Sequence, residues 1–244
     1  MKVENDQLHL VTPNYQIRKS KFKMKHAGFE QINECYAQAG QDLFVLGILE
    51  GKSNGTYLEI GCGEPKSYSN TYLLEQQFGW KGVSLDIEDS IVQSYNLSRK
   101  NKAVVSDATT VDYLDLLEKS GIHTRDLDFA SIDCEPASNT YAALRALPLD
   151  VLRFAVITYE HDCYYAGPKF KYSSRNYLWS HGYVLVASNI SAGDAGTGNL
   201  EYVDYEDWWV HPELVDMNRV SRFFSNSDDT KFFMSYLFDN IHES

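Results

Sequence analysis

Between residues 56 and 160 short apolar runs alternate with stretches whose apolar residues recur at helical spacing. Residues 56–60, 82–87, 103–105, 129–133 and 154–159 read as strands, and residues 43–49, 69–78, 111–119 and 139–146 as helices. Ser69 stands where the second of these helices needs an N-terminal cap, Gly79 and Gly121 follow helix ends, and Pro148 closes the last. Beyond residue 183 the pattern changes. Residues 183–188 read as another strand, 200–210 are aromatic and acidic, and 232–238 are aromatic again. Ahead of all this, residues 1–36 read as an N-terminal extension. Within it Lys19, Lys21, Lys23 and Lys25 alternate with Ser20, Phe22 and Met24, which predicts a short strand with a basic face. Such a strand serves either as a solvated sheet edge or as an arm that meets an acidic substrate or a partner protein.

Strands and helices alternating at this spacing predict an α/β fold: a Rossmann-like, doubly wound, mostly parallel sheet of seven strands with helices on both faces, closed by a C-terminal antiparallel hairpin. No repeat or low-complexity linker interrupts it, so residues 37–244 read as one domain with an aromatic lid region from about residue 183. The 244 residues suffice for one well-buried core, and 43% apolar with 23% charged residues is ordinary for a globular chain. A net charge of −12 argues against nucleic-acid backbones as partners. No apolar run is long enough to cross a membrane, and the first residues, Met1 to Asp6, lack a signal-peptide core. Cys35, Cys62, Cys134 and Cys163 are scattered and form no CxxC pair, so a reducing cytoplasm is the default expectation.

Acids fall where the predicted strands end: Glu59, Asp86, Asp107, Asp133 and Glu160. Ligands of open α/β sheets sit beyond those strand ends, so five acids on one rim favour a site. Glu59-Ile60-Gly61-Cys62-Gly63 departs from the G-x-G-x-x-G dinucleotide fingerprint, because Lys66 occupies the third glycine position. An acid two residues before the first glycine suits an amine-bearing ligand and repels a pyrophosphate. Asp86, ending the second strand, is placed to accept hydrogen bonds from ribose hydroxyls.

Taken in order, Gln38-Ala39-Gly40-Gln41-Asp42, Tyr57 to Gly63, Ser69 to Glu75, Phe78-Gly79-Trp80-Lys81-Gly82 and Ser131-Ile132-Asp133-Cys134-Glu135 resemble the class I S-adenosylmethionine methyltransferases, and more narrowly the FkbM-type O-methyltransferases. The resemblance spans about residues 38–160. It implies that Glu59, Gly61 and Gly63 meet the methionine part of S-adenosylmethionine, Asp86 its ribose, and Ile87, Asp107 and Ala108 its adenine, with Asn70 also binding the cofactor. Asp133 would stand beside the transferred methyl. The family's Asp-x-Glu-Gly is Asp133-Cys134-Glu135-Pro136 here, and a proline removes a backbone N–H, so the acceptor is not inherited. The expected activity is O-methylation of a hydroxyl on a small molecule or glycan precursor. An NAD-type oxidoreductase and a non-catalytic nucleoside-binding module stand as alternatives.

His161, directly after the last predicted parallel strand, is the preferred general base, with Asp133 and Glu160 beside it. His211 is its rival, and His181 reads as a helix-end residue. Asp133, Glu160 and Asp162, with Glu135, offer oxygen ligands that suit Mg²⁺, against a plainer reading in which they orient substrate by hydrogen bonds. Cys62 and Cys134 read as packing residues. The dense aromatic set from Tyr159 onward serves core and subunit contacts, the latter leaving room for a homo-oligomer, and Trp208-Trp209 is the candidate lid.

Overall fold

Strand and helix alternate from residue 41 to residue 191, as the apolar pattern requires, in a computed structural model that describes residues 6–11, 15–193, 202–225 and 227–240. The sequence readings on residues 1–5 and 200–201 lie outside the described residues. The chain starts with β1 (Gln7–Leu10), β2 (Tyr15–Arg18) and β3 (Glu34–Cys35), then α1 (Gln41–Ile48) and β4 (Thr56–Ile60). There follow α2 (Tyr72–Phe78), β5 (Lys81–Asp86), α3 (Asp89–Ser98), β6 (Lys102–Val105), α4 (Tyr113–Lys119) and β7 (Asp126–Ile132). Next come α5 (Ala137–Ala146), β8 (Arg153–Glu160), α6 (Cys163–Ala166), α7 (Pro168–Ser180) and β9 (Val184–Ser191). The described chain ends with β10 (Glu206–Val210), α8 (Met217–Val220), β11 (Lys231–Phe232) and α9 (Phe233–Leu237).

The large sheet has the order β11-β9-β10-β8-β7-β4-β5-β6. Strands β4 to β8 pair in parallel, while β10 runs antiparallel to both β8 and β9. Seven of the eight strands are the expected doubly wound sheet with its antiparallel closing pair. The eighth, β11, adds two residues in parallel to the edge of β9. The chain moves outward from β4 on one side through β5 and β6, and on the other through β7 and β8. The sheet therefore has its topological switch point between β4 and β7, where a crevice opens at the strand ends.

Neighbouring residues of the central strands enter opposite cores. Tyr57, Phe129, Val156 and Trp208 pack with α1, with Leu8 and Leu10 of β1, and with Phe22 and Phe29. Leu58, Ala130, Ile157 and Trp209 pack on the other face with Leu117 of α4, Leu144 of α5 and Leu178 of α7. Period-two alternation between two apolar faces is what a sheet covered on both sides demands. Trp208 and Trp209 are both fully buried, one per core, so the lid reading of this pair is corrected. Trp208 stacks on Phe44, centroids 4.4 Å apart, and Trp209 meets the edge of Trp179.

Three local expectations are also revised. The basic strand over Lys19–Lys25 does not form: β2 ends at Arg18 and Lys19–Lys21 is a 3-10 turn. Lys19 is buried, and its ammonium donates to the Glu30 carbonyl and Asn33 Oδ1, both at 2.7 Å. The helix expected from Ser69 starts at Tyr72, whose N–H donates to Ser69 Oγ at 3.1 Å. Of residues 232–238, Phe232 belongs to β11, 233–237 form α9, and Phe238 bridges to Phe22. Among the described residues, no helix is long and apolar enough to cross a membrane.

Candidate functional site

Two cavities meet at the ends of β4 and β7. The first, about 340 Å³, is lined by Gly61, Gly63, Asp86, Ile87, Asp107, Ala108 and Asp133 among others. The second, about 330 Å³, is lined by Gln38, Gln41, Glu59, Gly61, Gly63, Asn70, Asp133 and Glu160 among others. Gly61, Gly63 and Asp133 belong to both walls. Every residue that sequence reasoning assigned to the cofactor thus lies on this pair of cavities.

The glycine turn is held by sheet geometry. Gly61 and Cys62 both donate their N–H groups to the Leu85 carbonyl, which ties the turn after β4 to β5. At Gly61 φ is +78°, and a Cβ there would fall 1.6 Å from the Asp133 carbonyl oxygen. Gly63 has φ +50° and open space where its Cβ would be. Only glycine tolerates the first position, and the second leaves backbone bare to a ligand. Asp86 bridges this turn: Oδ2 accepts from the Gly63 N–H at 3.4 Å and Oδ1 from the Glu88 N–H at 3.0 Å. Asp107 folds its own turn, accepting from the N–H and hydroxyl of Thr109, and these bonds lower its pKa. Between them Ile87 is 70% exposed, an apolar wall that a planar base would cover.

Glu59 points inward. Its carboxylate accepts from Thr71 Oγ1 (2.9 Å), Ser84 Oγ (2.7 Å) and Tyr95 Oη (3.1 Å). Burial pushes its pKa up, and Arg99 and the three hydroxyls oppose that shift. Arg99, itself buried, forms an ion pair with Glu75 at 3.0 Å and donates to the Pro65 carbonyl, Ser69 Oγ, Thr71 Oγ1 and Tyr57 Oη. This network fastens the segment 64–71 that walls the second cavity. Sequence reasoning missed Arg99, Thr71, Ser84 and Tyr95, because nothing local marks a buried arginine 40 residues away from the acid it supports. Asn70 Nδ2 donates to Ser131 Oγ, while its buried Oδ1 accepts from no donor.

The acids of the rim converge. Burial and the charges of Asp162, Glu135 and Asp86 raise the pKa of Asp133 to about 6, against the bond with Glu160. Glu160 is raised well above the usual carboxyl range, by burial first and then by its interactions with Asp133 and Asp162. Buried carboxylates that act on one another cannot all ionise, so the Asp133–Glu160 pair holds a proton in common and titrates as a unit. Tyr165 Oη donates to Glu135 Oε2 at 2.5 Å, and Asp162 is buried in the left-handed conformation at φ +48°.

His161 is not on either cavity. It is fully buried, Nδ1 accepts from the Cys163 N–H at 3.2 Å, and Nε2 faces Asp207 Oδ1 at 3.6 Å. Its assignment as base is corrected: both ring nitrogens turn from the cavities into a buried network. Arg175 completes that network with a two-pronged contact to Asp207 at 2.7 and 2.9 Å. Burial would raise the pKa of Asp207, but His161 and Arg175 override it and hold the carboxyl far below the usual range. The rival His211 follows Val210 at the opposite end of β10, and burial lowers its pKa. His181 caps the end of α7. Cys62 is buried, whereas Cys134 is half-buried and lines the first cavity, its thiol pushed by burial up to about 12. Among the described residues no group of three or more His, Cys, Asp or Glu side chains is arranged to hold a metal ion. The Mg²⁺ reading of Asp133, Glu160 and Asp162 accordingly finds no support among the described residues.

Glu206, paired with Glu160 across β10 and β8, is buried and accepts from Gln41 Nε2 at 3.0 Å and from Trp208 Nε1. Burial raises its pKa from 4.5 to about 8, against those two bonds. The folded state then binds a proton that the unfolded state releases. The contribution of Glu206 to stability is flat below 4.5, falls as pH rises from 4.5 to about 8, and is flat again above. Glu206→Gln, neutral throughout, is expected to melt higher than the wild type at pH 8 and to lose that advantage at pH 4.5. Parallel melting curves with one common pH dependence would refute this.

No protein-family model matches the chain, and no curated protein matches it. Among solved structures, the fold is similar to the N-methyltransferase NodS from Bradyrhizobium japonicum WM9. That likeness has a TM-score of 0.46 and 12% identity and covers 72% of this chain and 94% of that one. It is also similar to a TehB-like SAM-dependent methyltransferase from Corynebacterium glutamicum, with a TM-score of 0.46 and 14% identity, over 73% of this chain and 89% of that one.

Proposed function

We propose that the chain is a class I S-adenosylmethionine-dependent methyltransferase of FkbM type that methylates a hydroxyl of a small molecule or glycan precursor. The observation that carries this reading is the junction of two cavities at Asp133. The first has the parts a nucleoside needs: the ribose acid Asp86, the bare Gly63 backbone, and apolar walls at Ile87 and Ala108. The second is polar and offers Asn70 Oδ1 as an unused acceptor for an amino group. Neither cavity has a lysine or arginine in its wall, and α2 does not start until Tyr72, well past the glycine turn. A pyrophosphate would find neither the cation nor the helix N-terminus it needs, which disfavours the NAD alternative.

S-adenosylmethionine supplies an activated methyl group and leaves as the neutral thioether S-adenosylhomocysteine. The protein has then to align a hydroxyl with that methyl and take its proton as the O–CH₃ bond forms. Asp133 stands at the junction, and a carboxylate titrating at about 6 is ionised at neutral pH yet basic enough to accept the proton. Glu160, with which it holds a proton in common, fixes its orientation. His161 acts at one remove, holding the turn that carries Glu160 and Asp162.

Calorimetry with S-adenosylmethionine and NAD in parallel tests the reading. Micromolar binding of S-adenosylmethionine, weakened at least about a hundredfold in Asp86→Ala through loss of two charge-assisted bonds, is the expected result. Preference for NAD, or an unaffected Asp86→Ala variant, would sink it.

A further inference from the structure

A third cavity, about 520 Å³, opens at the far edge of the sheet, lined among others by Lys23, Arg222, Phe224, Lys231 and Tyr236. It shares no residue with the two cavities at the junction. β11, which carries Lys231, lies four strand places from β7. At about 4.8 Å per place it stands roughly 19 Å from the strand that leads to Asp133. The wall is also the reverse of theirs in charge. It holds three cations and, among the described residues, no aspartate or glutamate, in a chain with 34 acids against 22 lysines and arginines.

Three separate parts of the chain bring those cations together. Phe22 and Met24 are buried, so Lys23 between them turns outward, and its N–H donates to the Leu237 carbonyl at 2.9 Å. The basic segment of the sequence thus places one lysine on this wall. Its ammonium donates to the Ser235 carbonyl at 2.8 Å and has one acid at a distance, Asp239 at 3.9 Å. Arg222 lies in the turn Ser221–Phe223 after α8, which Tyr236 ties down by donating to the Phe223 carbonyl at 2.6 Å. Its guanidinium has no partner among the described residues. Lys231 donates to the carbonyls of Ser188, Ser227 and Asp229 at 2.9, 2.6 and 2.6 Å and to Ser188 Oγ at 3.1 Å. All four oxygens are neutral, so its charge is fixed in the wall with no carboxylate bonded to it. Asp228, Asp207 and Asp229 act on it only through space, the first two already paired with Arg175.

We propose that this cavity binds a phosphate monoester carried by a small molecule. Such a group brings close to two negative charges at neutral pH and three acceptor oxygens. Arg222 offers an unspent planar fork and Lys23 a second charge, with the fixed charge of Lys231 behind them. Ser225, Thr230 and Ser235 bring hydroxyl groups to the same wall. Phe224, 36% exposed, supplies apolar surface for the body of the ligand. A carboxylate, with one charge and two oxygens, would leave one of the two outer cations unmatched. The volume is that of a small-molecule site.

Calorimetry on the full chain tests this with four probes: glucose 6-phosphate, inorganic phosphate, glucuronate and glucose. Glucose 6-phosphate should bind at least about tenfold more tightly than glucuronate, inorganic phosphate should compete with it, and glucose should not bind measurably. Arg222→Gln and Lys23→Gln should each weaken glucose 6-phosphate about tenfold, through loss of charge-assisted bonds. Both residues are exposed, so the variants should melt with the wild type. Lys25→Gln removes the same charge from an exposed lysine outside the cavity and should leave the affinity unchanged. Titrations with and without S-adenosylhomocysteine should coincide, since the cofactor's cavities lie elsewhere. The inference is overturned if glucose 6-phosphate fails to bind, if glucuronate binds as tightly, or if S-adenosylhomocysteine displaces it. It is overturned equally if Arg222→Gln and Lys23→Gln bind as the wild type does, or if Lys25→Gln loses as much as they do. Phosphate binding is read whether or not S-adenosylhomocysteine binds, so this inference and the methyltransferase reading fail separately.

Discussion

Gly61→Ala is expected to yield a protein that melts far below the wild type and does not bind S-adenosylmethionine. The added Cβ would lie 1.6 Å from the carbonyl oxygen of Asp133 and 2.8 Å from its carbonyl carbon. These are backbone atoms, so no rotamer change relieves the overlap. The left-handed conformation alone costs a non-glycine residue about 1–2 kcal/mol. Parting β4 from the end of β7 adds more, and the total should exceed about 4 kcal/mol, in the range reserved for a few severe mechanisms. Gly63→Ala is the internal control. Nothing lies within 4 Å of its Cβ, so with φ +50° it should lose only the left-handed cost of about 1–2 kcal/mol yet bind the cofactor more weakly, since both cavities share that residue. Thermal melts and calorimetry on the two variants separate packing from binding. A Gly61→Ala protein as stable as Gly63→Ala would show that the turn is not held as described.

Asp133→Asn should lower kcat about 10²–10⁴-fold, the usual worth of a positioned general base. Cofactor affinity should change little, because the amide keeps the size of the carboxyl. The wild-type rate should rise with pH through about 6 and then level, since the reactive form is the carboxylate that protonation removes at lower pH. The midpoint belongs to the Asp133–Glu160 pair and not to either residue alone. In Asp133→Asn that rising limb should disappear. If the limb survives unchanged, the base is another group, and Glu160→Gln is the next variant to assay.

The parallel strands were legible because burial on both faces leaves a mostly apolar signature, as in Thr56–Ile60, predicted with the same limits although Glu59 interrupts it. The strand-end acids followed from topology alone: once the strands were placed, Asp86 and Asp133 could lie nowhere but on the rim. Among the helices not legible, the two longest, α3 and α7, were hidden for opposite reasons. In α7 the buried stripe is Lys171, Ser174, Arg175 and Leu178, so the helix hides its inner face behind charges matched by Asp204 and Asp207. In α3 only Val92 and Tyr95 are buried, among three serines and Asn96, residue types that favour turns over helix interiors. His161 was misplaced for a related reason. Sequence fixes the end of β8, but not that Asp207, from a strand inserted beside it, draws the imidazole inward. The cooperation of Glu59 with Arg99 is likewise a tertiary fact: Arg99 stands at the C-terminal end of α3 and reaches the acid only through packing.

The position of β10 has a consequence for how the chain acquires its structure. β8 and β9 are made first, but they are not neighbours; the slot between them stays open until residues 206–210 arrive. Until then two strands expose unpaired edges, and each core lacks a tryptophan, Trp208 on one side and Trp209 on the other. One five-residue strand thus seals both halves of the molecule in a single event. The halves cannot mature one after the other during synthesis, and a chain stalled before β10 presents adhesive edges and two apolar openings to its neighbours.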